Sequence, residues 1–275
     1  MISIIIPTLN DRLNLSNLFS DISKQTLSPF EVICVDGGST DGSLDILQDR
    51  ASKIAYWTSA SDQGVYDAWN KALPHAQGEW VCFLGADDYL WSKDVVEMLI
   101  EQLEDLSADV CIAYGQTVLL DKSGNPMFTL GEPWESIESQ FKKRMCLPHP
   151  AVMHRRCLFD TYGGFDTSFL IAGDYEFLLR AIKGNRPHYL GELLVTAMRP
   201  GGLSTNPANT IIGLREAYRA LAKHGYQASW LSQRMAWSRA YLRLVANRCL
   251  GPRVAPIVLD WGRRFMGLPP YWTKV

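Results

Sequence analysis

The stretch "FLGADDYLW" (83–91) ends an apolar run with two adjacent carboxylates, Asp87 and Asp88. Unpaired charge at the tip of a buried strand is costly. Such a pair needs either a local turn to cap or a cation and a polar ligand to neutralise it. Three other polar segments follow apolar runs in the same way: Pro7-Thr8-Leu9-Asn10, Asp36-Gly37-Gly38-Ser39 and Ser61-Asp62-Gln63. In an open α/β sheet, ligands collect beyond the carboxyl ends of the strands. If strand and helix alternate, these four segments share one rim. That rim is acidic, which is wrong for direct phosphate binding. It suits Mg²⁺ or Mn²⁺ bridging a few carboxylates to substrate phosphates. Taken singly, an Asp-Asp pair more often caps a helix or turn, and "DGGSTDG" is more often a plain turn.

Other chemistries lack their residues. No G-x-G-x-x-G and no G-x-x-x-x-G-K-[ST] is present, so neither common phosphate loop applies. The absence of H-E-x-x-H disfavours a zinc protease, and the absence of G-x-S-x-G disfavours an esterase elbow. The six cysteines match no zinc spacing, and three of them sit in apolar runs, as small buried hydrophobes of a reducing compartment would.

The elements that must position the acids read clearly in the first half. "ISIII" (2–6) and "FEVICV" (30–35) are continuous apolar runs of buried strands, with "IAYW" (54–57) and "WVCFL" (80–84) as further strands. Asn10 or Asp11 can cap a helix whose Leu15, Leu18, Phe19 and Ile22 share one face. Leu44 and Leu47 mark a short helix. Val65, Ala68, Trp69, Ala72, Leu73 and Ala76 form the cleanest helical stripe, and Ser92 can cap a helix running to Leu103. "DVCIAYGQTVLL" continues the sheet. This alternation predicts a mostly parallel sheet covered on both faces. The second half is less regular: "LPHPAVMHR" reads as strand or loop, "GDYEFLLRAI" as a helix and "HYLGELLVTAMR" as a strand. A boundary near 205–210 separates residues 1–205 from a helical appendage, 206–275.

The chain has 275 residues, 20% charged, with a formal net charge of −2, so its overall balance makes no case for nucleic acid. The average hides an asymmetry. Residues 226–275 hold eight Lys/Arg and one acid, a net of +7, which leaves −9 for residues 1–225. Trp230, Leu231, Met235, Trp237, Tyr241, Leu244 and Val245 are interleaved with Arg234, Arg239, Arg243 and Arg248, a pattern suited to an anionic membrane surface or to packing on the catalytic domain. No stretch is apolar enough to span a bilayer, and none reads as a signal peptide.

The runs "SIIIPTLN", "VICVDGGSTDGS", "SDQGVYDAWNKAL", "AQGEWVCFLGADDYLW" and "GGFDTSFLIAGDYEFLLR" resemble the family 2 glycosyltransferases of the GT-A fold, in order and spacing, over about residues 1–205. "DQGVYDAWNK" is similar to members acting in bacterial polysaccharide and O-antigen assembly. The resemblance implies a GT-A α/β fold and transfer of a sugar, with inversion, from a UDP-, GDP- or dTDP-linked donor to a glycan or lipid-linked acceptor. It implies Mn²⁺ or Mg²⁺ as cofactor, and a cytoplasmic enzyme peripheral to the membrane. Carried over by position, Pro7, Thr8 and Asn10 would contact the nucleotide, Asp36 the base, Asp62 the base or ribose, and Asp87 the ribose. Lys71 would reach a phosphate, Asp88 would ligate the metal, and Asp174 would be the general base. His149, Gly202 and Ser204 are candidates for the acceptor or diphosphate side. Two departures stand out: Gly85 where many members carry the first Asp of Asp-x-Asp-Asp, and Gly173 where many carry Glu before the base. Two other readings stay open, a sugar-phosphate nucleotidyltransferase and a catalytically degenerate membrane assembly subunit. The first would want a basic Gly-rich N-terminal loop, which "PTLNDRLN" is not.

Overall fold

The computed structural model describes residues 1–26, 29–200, 202 and 209–274. Its sheet runs β3-β2-β1-β4-β8-β6-β9-β5, with β7 paired to β6. The strands are β1 (Ile2–Thr8), β2 (Phe30–Asp36), β3 (Tyr56–Ser59), β4 (Trp80–Phe83), β5 (Asp88–Leu90), β6 (Ile112–Leu120), β7 (Pro126–Leu130), β8 (Val152–Arg155) and β9 (His188–Met198).

The first four strands of that order are all parallel, so their carboxyl ends do share a rim. β1, β2 and β4 are largely buried on both faces, which is why they read as apolar runs, whereas the edge strand β3 is only half-buried. Successive residues alternate between two cores. Ile5, Ile33, Val35, Val81 and Phe83 enter one, while Ile4, Ile6, Val32, Cys34 and Cys82 enter the other. The first core is closed by α3 (Val65–Ala72), α5 (Trp134–Phe141), α7 (Gly173–Ala181) and α8 (Thr210–Lys223). The second is closed by α1 (Arg12–Ser23), α2 (Ser43–Asp49) and α4 (Val95–Glu104).

Beyond β4 the sheet turns mixed. β8 is antiparallel to both β4 and β6, and β5 is antiparallel to β9. Three local readings are corrected. The stripe through Ala76 is broken after Ala72, because Pro74 lacks the N–H a helix needs and the chain tightens into a 3₁₀ turn. Ser92 does not cap α4: the helix begins at Val95 behind Asp94, and Ser92 Oγ weakly accepts the Asp94 N–H at 3.4 Å. Asp11 holds the N-cap position of α1 without a side-chain cap bond. The donors there go instead to the β2–α2 loop, Arg12 N–H to Asp41 Oδ2 at 2.9 Å and Asp11 N–H to Ser43 Oγ at 3.3 Å.

The helical C-terminal region is present, but its first helix belongs to the body. Ala220 and Leu221 of α8 enter the first core. Only α9 (Trp230–Phe265), broken at Gly251, stands apart with mostly exposed side chains.

Candidate active site

A cleft of about 920 Å³ opens at the carboxyl ends of the parallel strands. Pro7, Thr8, Asn10, Asp62, Asp87 and Gly202 line it, as do Asp11 and Asn14 of the α1 start, Leu170, Ile171 and Arg199. Thr8 ends β1 and is only 5% exposed. Its hydroxyl has no hydrogen-bond partner among the described residues. An orphaned hydroxyl on a cleft wall is a vacancy for a polar ligand atom. Asn10 adopts a left-handed φ of 51° and locks the first loop to the second, accepting the Thr40 N–H at 2.8 Å on Oδ1. Asp62 packs its carboxylate over Gly37, where a Cβ would come within 2.8 Å of Oδ2.

The two aspartates of the opening stretch divide. Asp88 starts β5, is 6% exposed, and accepts the Gly85 N–H at 2.7 Å while its own N–H returns to the Gly85 carbonyl at 3.1 Å. Burial, with the Asp87 charge beside it, pushes its carboxyl well above the ordinary range. It therefore caps its own turn. Asp87 is the one that lines the cleft. Burial, and then the charge of Asp11, raise its carboxyl too. Asp87 lies against the backbone at both Gly85 and Gly202, where any Cβ would collide with its oxygens. The volume that a carboxylate at 85 would need is already filled by the side chain of Asp87.

Asp174 sits in the first turn of α7, where the helix dipole favours a carboxylate. Burial nevertheless pushes it up to about 6. Its Oδ1 accepts the Tyr175 N–H at 2.8 Å and lies 3.2 Å from Tyr66 Oη, which also donates to the Ile171 carbonyl at 2.6 Å. A Cβ on Gly173 would come within 2.7 Å of the Tyr66 ring. As at Gly85, another side chain occupies the space of the absent acid. The segment before α7 is held from α8. Glu216, 7% exposed, accepts the N–H groups of Leu170, Ile171 and Ala172 at 2.8–3.0 Å. Its negative charge also contributes to the raised carboxyl of Asp174.

Three expected contacts fall elsewhere. Asp36 is fully buried and does not line the cleft. Its carboxylate accepts the Gly38 and Ser39 N–H groups and the Ser39 and Ser59 hydroxyls, so it shapes the loop under the site. Lys71 pairs with Asp67 at 2.9 Å and donates to the Ser61 carbonyl at 3.3 Å, steadying the loop that carries Asp62 from outside the cleft. His149 is buried in the aromatic core, 5.1 Å from the Trp69 ring and 5.3 Å from His154, and burial drops it to about 3. It is therefore uncharged at neutral pH, and it does not line the cleft. Ser204 and Gly201 lie outside the described residues. Arg199 was missed: it follows β9 and lines the cleft with its guanidinium 4.5 Å above the Tyr89 ring. The available signal was its place three residues before the candidate Gly202.

The fit to a divalent cation is partial. Among the described residues no group of three or more His, Cys, Asp or Glu side chains converges on one point. Asp87, with Asp11 near enough to repel it, fits a cation completed by substrate phosphates and water.

Residues 3–156 match the family model described as glycosyl transferase family 2. The chain belongs to this family. It is a glycosyltransferase. It is 34% identical over 218 residues to a PGL/p-HBAD biosynthesis glycosyltransferase of Mycobacterium bovis, covering 77% of this chain and 80% of that protein. It is 33% identical over 132 residues to the putative teichuronic acid biosynthesis glycosyltransferase TuaG of Bacillus subtilis, covering 46% and 50% respectively. The fold is that of S. aureus TarS 1–349 in complex with UDP-GlcNAc (TM-score 0.65, 21% identity, 87% of this chain and 71% of that one). It is equally that of the mannosyltransferase PcManGT from Pyrobaculum calidifontis in complex with GDP-Man and Mn²⁺ (TM-score 0.63, 19% identity, 99% and 82%). The glycosyltransferase thus has the GT-A fold that its motifs led one to expect.

Proposed function

We propose that this glycosyltransferase moves a sugar from a nucleoside-diphosphate donor to a hydroxyl of a glycan or lipid-linked acceptor, with inversion, in cell-surface polysaccharide or glycolipid synthesis. The observation that carries the reading is the cleft itself. An orphaned Thr8 hydroxyl and Asp87 line it together with Leu170 and Ile171, the residues just ahead of Asp174, which lies behind that lining rather than in it.

Thr8, Pro7 and Asp62 hold the nucleoside, on the loop frame that Asp36 and Lys71 brace. Asp87, together with substrate phosphate oxygens, would hold Mn²⁺ or Mg²⁺. When bound, that ion offsets the negative charge that builds on the departing β-phosphate. Arg199 adds a fixed cation at the same end. Asp174 accepts the proton of the acceptor hydroxyl as its oxygen bonds to the anomeric carbon. The bond from that carbon to the phosphate oxygen breaks on the other side, so the anomeric centre inverts. A carboxylate raised to about 6 is better matched to this task than an ordinary one, because base strength rises with pKa while the group remains ionised at neutral pH.

The basic C-terminal region suits an enzyme peripheral to an anionic membrane, where a lipid-linked acceptor resides. Against a degenerate subunit stand the filled volumes at Gly85 and Gly173: Asp87 and Tyr66 occupy them in an ordered way.

Asp174→Asn tests the reading. Glycosyl transfer should fall by about 10²–10⁴-fold with the fold intact by circular dichroism, and full activity would reject it. In the wild type, log kcat should climb with pH and level off above about 6 as Asp174 ionises. A rate already flat at pH 4.5, in the ordinary carboxylate range, would place the base elsewhere.

A further inference from the structure

The chain beyond α8 exposes an apolar stripe, and it is not the one its sequence suggested. In the first half of α9, Trp237 and Leu244 of the anticipated apolar stripe are half-buried, and Trp237 packs 6.5 Å from Tyr218 of α8. That half is in part a packing face. Gly251, at φ 72°, then breaks the helix, and residues 252–265 set off in a new direction behind Pro252.

At roughly 100° per residue, Val254, Ile257, Val258, Trp261 and Phe265 fall within an arc of roughly 100°. All five are exposed, Trp261 by 66% and Phe265 by 96%. On the opposite arc Ala255 and Asp260 are buried, and Pro256, Leu259 and Arg263 are half-buried. Asp260 is the segment's one acid, and its carboxylate accepts the Tyr271, Trp272 and Thr273 N–H groups at 2.8–2.9 Å. It folds the chain's end onto the inner face and leaves the outer face apolar.

Arg253 and Arg264, both exposed and three turns apart, run along one border of that outer face. Among the described residues, none of the arginines of residues 226–275 pairs with a carboxylate. An apolar stripe containing Trp and Phe, edged by unneutralised arginines, fits an anionic bilayer interface. Fourteen helical residues extend about 21 Å, less than a bilayer core of about 30 Å, and no described helix is long and apolar enough to cross a membrane. A helix of this length and pattern can lie along an interface but not cross it.

We propose that residues 254–265 seat their outward stripe in the interface of an anionic lipid bilayer, with Arg253 and Arg264 on headgroup phosphates. This rests on the peripheral-membrane part of the proposed function and names the surface that serves it; it does not depend on sugar transfer. The test is sedimentation of the full chain with two kinds of vesicle: phosphatidylcholine containing phosphatidylglycerol, and phosphatidylcholine alone. Binding should require the anionic lipid and weaken with added salt. Trp261→Asp/Phe265→Asp should weaken it by at least about tenfold, and Arg253→Gln/Arg264→Gln should weaken it and flatten its salt dependence. In both variants, release of nucleoside diphosphate in solution should be unchanged, since none of these residues lines the cleft. Failure to bind, equal binding to neutral vesicles, or unaltered binding by the aspartate variant would overturn the proposal. So would light scattering in which that variant converts a dimer to a monomer while vesicle binding persists, which would make the stripe a subunit interface.

Discussion

At the scale of single residues, the site turns on two glycines, Gly85 and Gly173, at positions where the family resemblance led one to expect acids. Gly85 leaves room for the carboxylate of Asp87, and Gly173 leaves room for the ring of Tyr66. The second substitution has a chemical consequence, because the Tyr66 hydroxyl reaches Asp174. A hydrogen bond to the ionised form lowers a carboxyl pKa. Tyr66→Phe should therefore raise the pKa of Asp174 above about 6 and shift the acid limb of the pH–rate profile upward, with donor KM little changed. An unmoved limb would show that the phenol does not set the base. Gly173→Ala would drive a methyl into a rigid ring, an overpacking worth about 1–3 kcal/mol, and activity should fall as Tyr66 is displaced.

The sequence revealed some of these residues and concealed others for a definite reason. Pro7, Thr8, Asp62 and Asp87 were legible because a strand's carboxyl end locates them without knowledge of side-chain direction. Asp36, Lys71 and His149 were not, since spacing cannot say whether a polar group faces the cleft, its own loop or an aromatic core. Asp87 and Asp88 part for the same reason: consecutive residues at a turn point opposite ways, and only Asp87 lines the cleft.

At the scale of elements, the parallel strands and their helices were legible through unbroken apolar runs and helical stripes. The antiparallel half was not, because β8 is only 4 residues long and lies in a stretch punctuated by prolines. The change in composition near residue 205 suggested a boundary, yet α8 beyond it belongs to the core. Glu216 explains why. Its carboxylate gathers three backbone donors from the segment that leads into α7, a contact with partners some 45 positions away and therefore invisible to local pattern. Glu216→Gln keeps the shape but removes the charge, and should cost about 1–3 kcal/mol, read as a lower Tm. It also removes a like charge that raises Asp174, so the acid limb should move down in pH, opposite in sign to Tyr66→Phe. A limb displaced upward, or a Tm unchanged, would contradict this role for α8.

At the scale of the whole molecule, the acidic body and the basic tail divide the labour. The parallel half of the sheet presents the strand-end loops that line the cleft, and the mixed half and the segment ahead of α7 add Arg199, Leu170 and Ile171 to the same lining. The tail, at +7, turns an apolar stripe away from both. Binding of nucleotide and turnover of acceptor are thus assigned to different carboxylates. Calorimetric titration of UDP, GDP and dTDP with Mn²⁺ into the wild type, Asp87→Asn and Asp174→Asn separates them most directly. The account predicts that one of these nucleotides binds the wild type and Asp174→Asn within about threefold of each other, and binds Asp87→Asn at least about tenfold more weakly, a loss of about 1.4 kcal/mol or more. Equal affinity in all three proteins, or loss of binding in Asp174→Asn alone, would contradict it.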